Sequence, residues 1–364
     1  MKAIKSNKNE VEGMAAGDIY LIRDLDLRTG AEIDYLKIGR TKPNESDERI
    51  SKHQTGNPRL ITKKWDGVVP NDAAIEGYLH HYFSSDRIRG EWFWIDDNKL
   101  TTEVIPLLNT LITEYTAHEA NLAVRKTLKE TDDNGVSRLP NSVEAPLAAD
   151  LQQAMNDLEV ARKQHGVHDL NLRTMMASDG GIDGVVKITP VSGRDSFDKS
   201  GFLASLTSAQ QEQCHHPTKT SRVASPKWHI KPEKLSVLDP SLNTEHSTAK
   251  AAAPTGTPPT SQLTALPGVR TTAIEAEHQS WLDTRRAVKV LEWVIEQLKS
   301  QLLVSLGSDL EIQDVVSWPR YEQIDTNVWD KSLAKTNFEA EVASFTTAGN
   351  NGTKVLISRG RGYP

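Results

Sequence analysis

The chain has 364 residues, which is enough for two or three domains and too many for a single small module. Hydrophobic residues make up 37% of it, below the globular average of about 45–50%, so part of the chain is not expected to build a core. The formal net charge of −6 gives no support to nucleic-acid binding, but it does not exclude a local basic patch that contacts phosphate.

Cysteine content and hydropathy indicate the compartment. The single cysteine, Cys214, excludes an internal disulfide and argues against a disulfide-stapled secreted scaffold. The first residues lack the apolar run of a signal peptide, and no stretch is apolar for about eighteen residues. We therefore expect a soluble, intracellular, cytoplasmic protein without a membrane partner. His215 and His216 follow Cys214, but adjacent histidines cannot easily aim at one ion, so no zinc is expected.

Aromatic residues indicate where cores are expected. Nine of the twenty-one lie in residues 17–96 and eight in residues 270–364, and only four lie in the long stretch between them. The composition therefore predicts two compact ends and a lean middle.

The N-terminal pattern predicts strands first and a helix next. Residues 1–16 are polar and are expected to form a flexible arm. Two apolar runs joined by a Gly-containing loop predict a β-hairpin, with strands DIYLIRDL (18–25) and DYLKIGRT (34–41). A helix is expected to follow near Asp47, with Ser46 as a candidate N-cap.

A second alternation of strand and helix completes this unit. LITKKWDGVV (60–69) predicts a third strand. PNDAAIEGYLHHYFSS (70–85) predicts a helix capped by Asn71 or Asp72, and RGEWFWID (89–96) predicts a short aromatic strand. The expected unit is a short antiparallel sheet flanked by helices.

The whole chain is expected to be α+β and to divide into parts after the arm. These are a domain at 17–100, a helical extension at 101–170, a poorly ordered linker at 171–269 and an α+β accessory domain at 270–364. The linker prediction depends on residues 240–268, where Pro, Thr, Ala, Ser and Gly supply 21 of 29 residues.

The accessory domain is expected to begin with an amphipathic helix of about thirty residues. Its apolar stripe consists of Trp281, Val288, Leu291, Ile295, Leu298 and Leu302. Such a stripe needs a partner surface. The rest of the domain, a second copy of the chain or another protein would supply it, so self-association through 281–302 is one prediction.

Polar residues in the N-terminal unit lie where a purely structural design would not need them. Tyr20 is in the middle of a strand, Arg49 and His53 share one helix face, and Glu76 lies inside an apolar stripe. Each also has a structural interpretation. A strand tyrosine is usually part of the core, an Arg and His pair is usually a solvated face, and a glutamate on a stripe can pair with a cation.

The order of five short motifs is more informative than any single residue. GDIY (17–20), LKIGRT (36–41), Arg49 with His53, Glu76 in AAIEGYLHHYF and the closing GEWFWI resemble the GIY-YIG nuclease superfamily. They are most similar to its phage-associated branch, in which KIG stands for YIG and a GEWF segment ends the domain. The resemblance covers residues 17–96, less than a quarter of the chain.

The resemblance implies hydrolysis of DNA phosphodiester bonds with one Mg²⁺ or Mn²⁺. Glu76 would hold the metal, and Arg49 would clamp the scissile phosphate. Tyr20 would position or deprotonate the attacking water, the latter only if a cation lowers its pKa. Lys37 replaces the second tyrosine of the family, and His53 would relay a proton or orient the site. A local positive surface for DNA would consist of Arg40, Lys42, Lys63 and Lys64.

Departures from the family pattern leave other functions open. KIG removes the two-tyrosine arrangement, and Asn98 matches the family's asparagine by position only. A DNA-binding module of the same fold without cleavage is the first alternative, and a structural or assembly protein that oligomerises through 281–302 is the second. The C-terminal segment is faintly similar to the tail of viral recombination exonucleases, which implies no second active site.

Overall fold

A computed structural model describes residues 16–55, 57–177, 179–216, 218–223 and 225–360. The predicted N-terminal arm lies outside the described residues except for Ala16. Helices account for 50% and strands for 22% of the structure, which confirms the predicted α+β class.

The N-terminal part is a five-stranded antiparallel sheet with one helix on each face. Its strands are β1 (Gly17–Leu25), β2 (Glu32–Thr41), β3 (Leu60–Val69), β4 (Arg87–Arg89) and β5 (Trp92–Trp94). Their order across the sheet is β3-β1-β2-β5-β4. Its helices are α1 (Ser46–Gln54) and α2 (Asp72–Tyr82). The predicted order of elements is confirmed, and the closing segment forms a hairpin of β4 and β5.

The alternation of strand residues decides which helix covers which face. Ile19 and Leu21 of β1 are completely buried and pack with Ile75 and Leu79 of α2. Each such side chain contributes about 1.5–3 kcal/mol when it leaves water. Because neighbouring strand residues point to opposite faces, Tyr20 lies on the other face, where α1 covers it.

The two helix starts differ from each other. Asn71 caps α2 as predicted, with its side chain accepting a hydrogen bond from the Ala74 N–H at 3.2 Å. The predicted cap Ser46 is wrong. It is the first helical residue of α1, and its hydroxyl donates instead to Asp66 at 2.8 Å, which ties the helix to β3.

Helices dominate the middle of the chain. They are α3 (Asp97–Lys99), α4 (Ile105–Lys129), α5 (Glu144–Met176), α6 (Lys199–Ser205), α7 (Ser208–Glu212), α8 (Leu235–Leu238), α9 (Pro240–Ala252) and α10 (Thr272–Leu306). A π-helical turn (Leu100–Val104) joins α3 to α4, and short 3₁₀ turns lie at Ser84–Asp86 and Thr260–Leu263. Helix α5 ends at Met176, beyond the predicted end of the helical extension at residue 170.

Short strands and two small helices complete the chain. The strands are β6 (Ser137–Arg138), β7 (Gly181–Ile182), β8 (Val186–Val191), β9 (Ser196–Phe197), β10 (His215–His216), β11 (Lys219–Arg222), β12 (Lys227–Trp228), β13 (Glu311–Ile312), β14 (Val316–Ser317), β15 (Glu322–Asp325), β16 (Val328–Trp329), β17 (Thr346–Thr347) and β18 (Gly352–Ile357). The helices are α11 (Lys331–Asn337) and α12 (Glu339–Ser344).

The structure departs from the predicted linker at 171–269. Strand β8 pairs with β18 along its whole length, and the Phe202 and Leu242 side chains are buried in small cores. Composition predicts disorder because apolar residues are sparse there, but several of those present, such as Phe202 and Leu242, are buried in cores that include residues of α5, α9 or the C-terminal helices. The strands of residues 270–364 pair with strands of the middle, for example β15 with β11 and β18 with β8.

The apolar stripe of α10 is covered by the chain itself. Val288, Ile295 and Leu302 are buried against Leu151 and Leu158 of α5. This face is therefore not available for the predicted self-association through 281–302. Among the described residues, no helix is long and apolar enough to cross a membrane.

Candidate active site

Tyr20 is the centre of the polar cluster on the α1 face of the sheet. Its ring is 1% exposed, and its hydroxyl lies 3.1 Å from Nε2 of His53. Burial raises the pKa of Tyr20 above 10, the nearby Arg49 guanidinium opposes this rise, and the Glu91 and Glu76 carboxylates add to it. The hydroxyl is therefore protonated at neutral pH, so the structure does not favour Tyr20 as the group that deprotonates water.

Lys37 lies beside Tyr20 on the neighbouring strand. Its ammonium group forms a salt bridge of 3.0 Å with Glu91, which lies in the turn between β4 and β5, and it lies 3.3 Å from Nε2 of His53. The ion pair holds the pKa of Glu91 below its ordinary value although burial acts in the opposite direction. Lys37 thus contributes a positive charge next to the tyrosine.

The contacts of His53 define its protonation state. A lysine ammonium group only donates hydrogen bonds, so Nε2 of His53 accepts and the ring proton lies on Nδ1. Burial lowers the pKa of His53, and the charges of Lys37 and Arg49 lower it further. The imidazole is therefore neutral at pH 7, and its Nε2 lone pair faces the donors of Lys37 and Tyr20.

The titration of His53 gives a direct test of this environment. We expect the pKa of His53, followed by NMR of the imidazole protons, to lie below 6.5 and to rise when Lys37 is replaced with methionine. His216 is a useful control within the same protein, because it is half-exposed and pairs with Asp330 far from the site. A His53 pKa above 6.5, or no change in Lys37→Met, would contradict the described arrangement.

Glu76 lies on α2, on the face of the sheet opposite to this cluster, and is engaged by Arg40. The Arg40 guanidinium donates to Glu76 at 3.0 Å and to Asp72 at 2.9 Å. Burial raises the pKa of Glu76, Arg40 opposes the rise, and the Glu91 and Asp72 charges add to it. The structural interpretation of Glu76, an ion pair on a helix stripe, therefore accounts for part of its environment.

Arg49 is exposed on α1, one helical turn before His53. None of the ion pairs among the described residues includes its guanidinium group, although it is close enough to Tyr20 to affect the pKa of the hydroxyl. An exposed, permanently charged fork beside a tyrosine is available to an incoming anion.

The cations predicted to contact DNA are mostly paired with carboxylates. Lys63 forms salt bridges with Asp47 and Asp66, and Lys64 pairs with Glu32. Lys42 is the most exposed of the four, and its ammonium group is 4.0 Å from Glu45. The positive surface predicted from Arg40, Lys42, Lys63 and Lys64 is therefore partly neutralised.

The packing of the Tyr20 ring on Gly39 explains why the KIG motif ends in glycine. The Tyr20 ring lies directly over its backbone, so an added Cβ at position 39 would be 2.5 Å from Cζ and from the hydroxyl oxygen of the ring. No side chain fits there unless the ring moves. Gly39 therefore sets the position of Tyr20 against His53.

Replacing Gly39 with alanine is expected to lower the free energy of unfolding by about 1–3 kcal/mol, because the added methyl group overlaps the ring. The loss should be smaller when Tyr20→Ala is already present, and urea unfolding of the double-mutant cycle measures this coupling. Gly77→Ala is the matched control, since no atom lies within 4 Å of its added Cβ and alanine favours a helix. Equal effects at positions 39 and 77 would contradict the proposed packing.

The site is better suited to one divalent ion bound by a single carboxylate, water and substrate than to an ion held entirely by protein side chains. Within the described ranges, no three His, Cys, Asp or Glu side chains are grouped as a ligand set. Arg40 binds one oxygen of Glu76. Mg²⁺ commonly uses one carboxylate together with water and substrate phosphate, so Glu76 is a suitable donor.

Other sequence candidates lie away from this cluster. Asn98 is exposed on α3 and contributes its carbonyl oxygen to the hydroxyls of two threonines. Cys214 is buried in an apolar core, and His216 is held by Asp330. Sequence reasoning missed Glu91, and it gave an ion pair as the structural interpretation of Glu76 without naming Arg40 as the partner. The GEWF segment contained a signal for Glu91, because an acidic residue precedes an aromatic strand next to Lys37.

No protein-family model matches the chain, and neither a curated protein nor a solved structure matches it significantly. The functional interpretation therefore rests on the residues of the site and their geometry.

Proposed function

We propose that the chain is a metal-dependent DNA endonuclease. The proposal is supported mainly by the convergence of Tyr20, Lys37, Arg49 and His53 on one face of the sheet, with the Glu76 carboxylate of α2 close enough to affect the pKa of Tyr20. Two cationic donors, Lys37 and Arg49, and the neutral hydroxyl of Tyr20 lie beside one neutral imidazole. This arrangement is suited to binding a phosphodiester and accepting a proton from water. Such an enzyme would act in the cytoplasm, that of the host cell if the chain is phage-encoded.

The geometry divides the work among these residues. Nε2 of neutral His53 would accept the proton of the attacking water once that water takes the place of the Lys37 ammonium group, and the protonated Tyr20 hydroxyl would orient the water. Arg49 would bind the phosphate, and Lys37 would stabilise the developing negative charge. Glu76 would hold Mg²⁺ or Mn²⁺, which supplies further charge neutralisation when bound.

A plasmid-nicking assay tests the proposal. The wild-type protein is expected to convert supercoiled DNA to the nicked form with Mg²⁺ or Mn²⁺ and to lose this activity in EDTA, and Arg49→Ala is expected to nick far more slowly. Lys52→Ala is the matched control, because Lys52 is an exposed cation of the same helix that pairs with Glu48. If wild type and Arg49→Ala nick equally, or if none nicks while all bind DNA, the protein is not this nuclease.

A catalytically silent DNA-binding module is the second candidate. The observation that favours it is the salt bridge of Glu76 with Arg40, which occupies one oxygen of the proposed metal ligand. If the pair persists in the presence of DNA and metal, the domain would bind without cutting. DNA binding with no nicking under any metal condition is the outcome expected for this function.

A further inference from the structure

Three arginines from distant parts of the chain meet at the β4 edge of the N-terminal sheet. Arg87 belongs to β4, Arg285 to α10, and Arg359 follows β18. The backbone at Gly360 lies against Arg87, since a Cβ added there would be 2.6 Å from the Arg87 carbonyl oxygen and 2.9 Å from its Cβ. We call Arg87, Arg285 and Arg359 the arginine cluster.

Helix α10 is held next to the same edge by two further contacts. The Ser85 hydroxyl donates to Asp283 at 2.8 Å, and the Arg286 guanidinium lies 3.5 Å from the centre of the Tyr82 ring. Arg285 itself stacks over Trp281 at 5.4 Å. These contacts fix the helix so that the side chain of Arg285 faces the strand that carries Arg87.

The arginine cluster has no salt bridge to a carboxylate among the described residues, although the charges of Glu91, Glu76 and Glu292 act on Arg87 or Arg285. The nearby carboxylates are occupied by other groups. Both oxygens of Glu292 are bound by Lys289 and Arg162, and Glu91 is paired with Lys37.

Buried donors point to the same conclusion. Nε of Arg285 and Nδ1 of His81 are buried, and neither has a hydrogen-bond partner among the described residues. Burial, followed by the charges of Arg359 and Arg87, lowers the pKa of Arg285 to about 10. Burial and the charges of the same cluster lower the pKa of His81 to about 3. Unpaired like charges are costly, and a bound anion would relieve this cost.

We propose that the arginine cluster is a phosphate-binding site that takes a backbone phosphate of nucleic acid. Three guanidinium groups provide the forked donors that match phosphate oxygens. The turn between β4 and β5 carries Glu91, the partner of Lys37, so the cluster and the candidate active site share this hairpin. The choice of nucleic acid over a small phosphate ligand rests on the proposed function, whereas the binding of phosphate does not.

Thermal unfolding of the full chain tests phosphate binding. Inorganic phosphate at about 10 mM is expected to raise the unfolding midpoint by about 2 °C relative to chloride of equal ionic strength. This value corresponds to a dissociation constant for phosphate about tenfold below that concentration. Arg359→Gln and Arg285→Gln should lose this shift, and Arg359→Gln without phosphate should unfold at or above the wild-type temperature, because a repulsive charge is removed. Lys354→Gln, an exposed cation on β18, should keep the full shift. An unchanged shift in both arginine variants would overturn the site.

DNA binding in EDTA identifies the source of the phosphate. With a fluorescent duplex of unrelated sequence, Arg359→Gln should bind several-fold more weakly than Lys354→Gln, and the slope of log K against log salt should fall by about one. A phosphate-induced shift with unchanged DNA binding would refute the nucleic-acid assignment. Glu76→Ala should keep the phosphate shift, so failure of the nuclease proposal and failure of this one are distinguishable.

Discussion

Replacing Glu76 with alanine is expected to lower the rate of DNA cleavage by about 100- to 1,000-fold, which is the usual effect of removing one group that stabilises a developing charge. Glu76 is the proposed metal ligand and lies inside the α2 stripe at the edge of the site. The fold should survive the change, because Arg40 keeps its second partner, Asp72, and its side chain is 46% exposed. The loss should therefore appear in the rate and not in the folded fraction.

Single-turnover nicking of supercoiled plasmid measures this effect. Glu76→Gln is a second variant that keeps the size of the side chain and removes the charge, and it should lose as much activity as Glu76→Ala. Glu48→Ala is the matched control, since Glu48 is an exposed carboxylate of α1 that pairs with Lys52. Cleavage by Glu76→Gln at the wild-type rate would show that this carboxylate does not bind the metal.

Replacing Glu144 with alanine is expected to destabilise the protein by about 2–4 kcal/mol, because the buried donors that it satisfies lose their acceptor while Arg138 keeps Asp309 as a partner. Glu144 is fully buried at the start of α5 and accepts two hydrogen bonds from Arg138 at 2.6 and 2.7 Å. It also accepts from the Ser305 hydroxyl at 2.7 Å, near the end of α10. One carboxylate thus joins the beginning of α5 to the end of α10.

The stability that Glu144 provides should depend on pH in a defined direction. Burial raises its pKa, but the hydrogen bonds from Arg138, Asn141 and Ser305 outweigh burial and hold it below 4.5. A carboxylate with a lowered folded pKa stabilises the protein fully above its unfolded pKa, and this contribution is lost as the pH falls through the folded value. Urea unfolding should therefore show a large difference between wild type and Glu144→Ala at pH 7 and a smaller one at strongly acidic pH.

Glu245→Ala is the control for this experiment. Glu245 is exposed on α9, so its replacement should change the free energy of unfolding by less than about 0.5 kcal/mol. A similarly small effect for Glu144→Ala would contradict the role of the ion pair in joining the two helices.

Local patterns were sufficient for the N-terminal elements. Alternation along 18–25 and 60–69 and the cap at Asn71 depend on near neighbours in the chain, so the strands, their order and α2 could be predicted. Local patterns were not sufficient for residues 171–269, which were predicted to form a linker. Its apolar side chains, such as Phe202, are few, and whether they are buried depends on helices more than a hundred residues away.

The sequence by itself determined the residue types of the candidate site and their order, because motifs such as KIG and GEWF fix spacing along single elements. Only the tertiary structure decided the partners. Lys37 pairs with Glu91, Arg40 pairs with Glu76, and the α10 stripe is buried against α5. Each group or surface that was predicted to be free therefore has a partner within the chain. The arginine cluster is also a tertiary feature, because its members lie about 70 to 270 residues apart in sequence and only the docking of α10 and the C-terminal strand on the sheet brings their charges together.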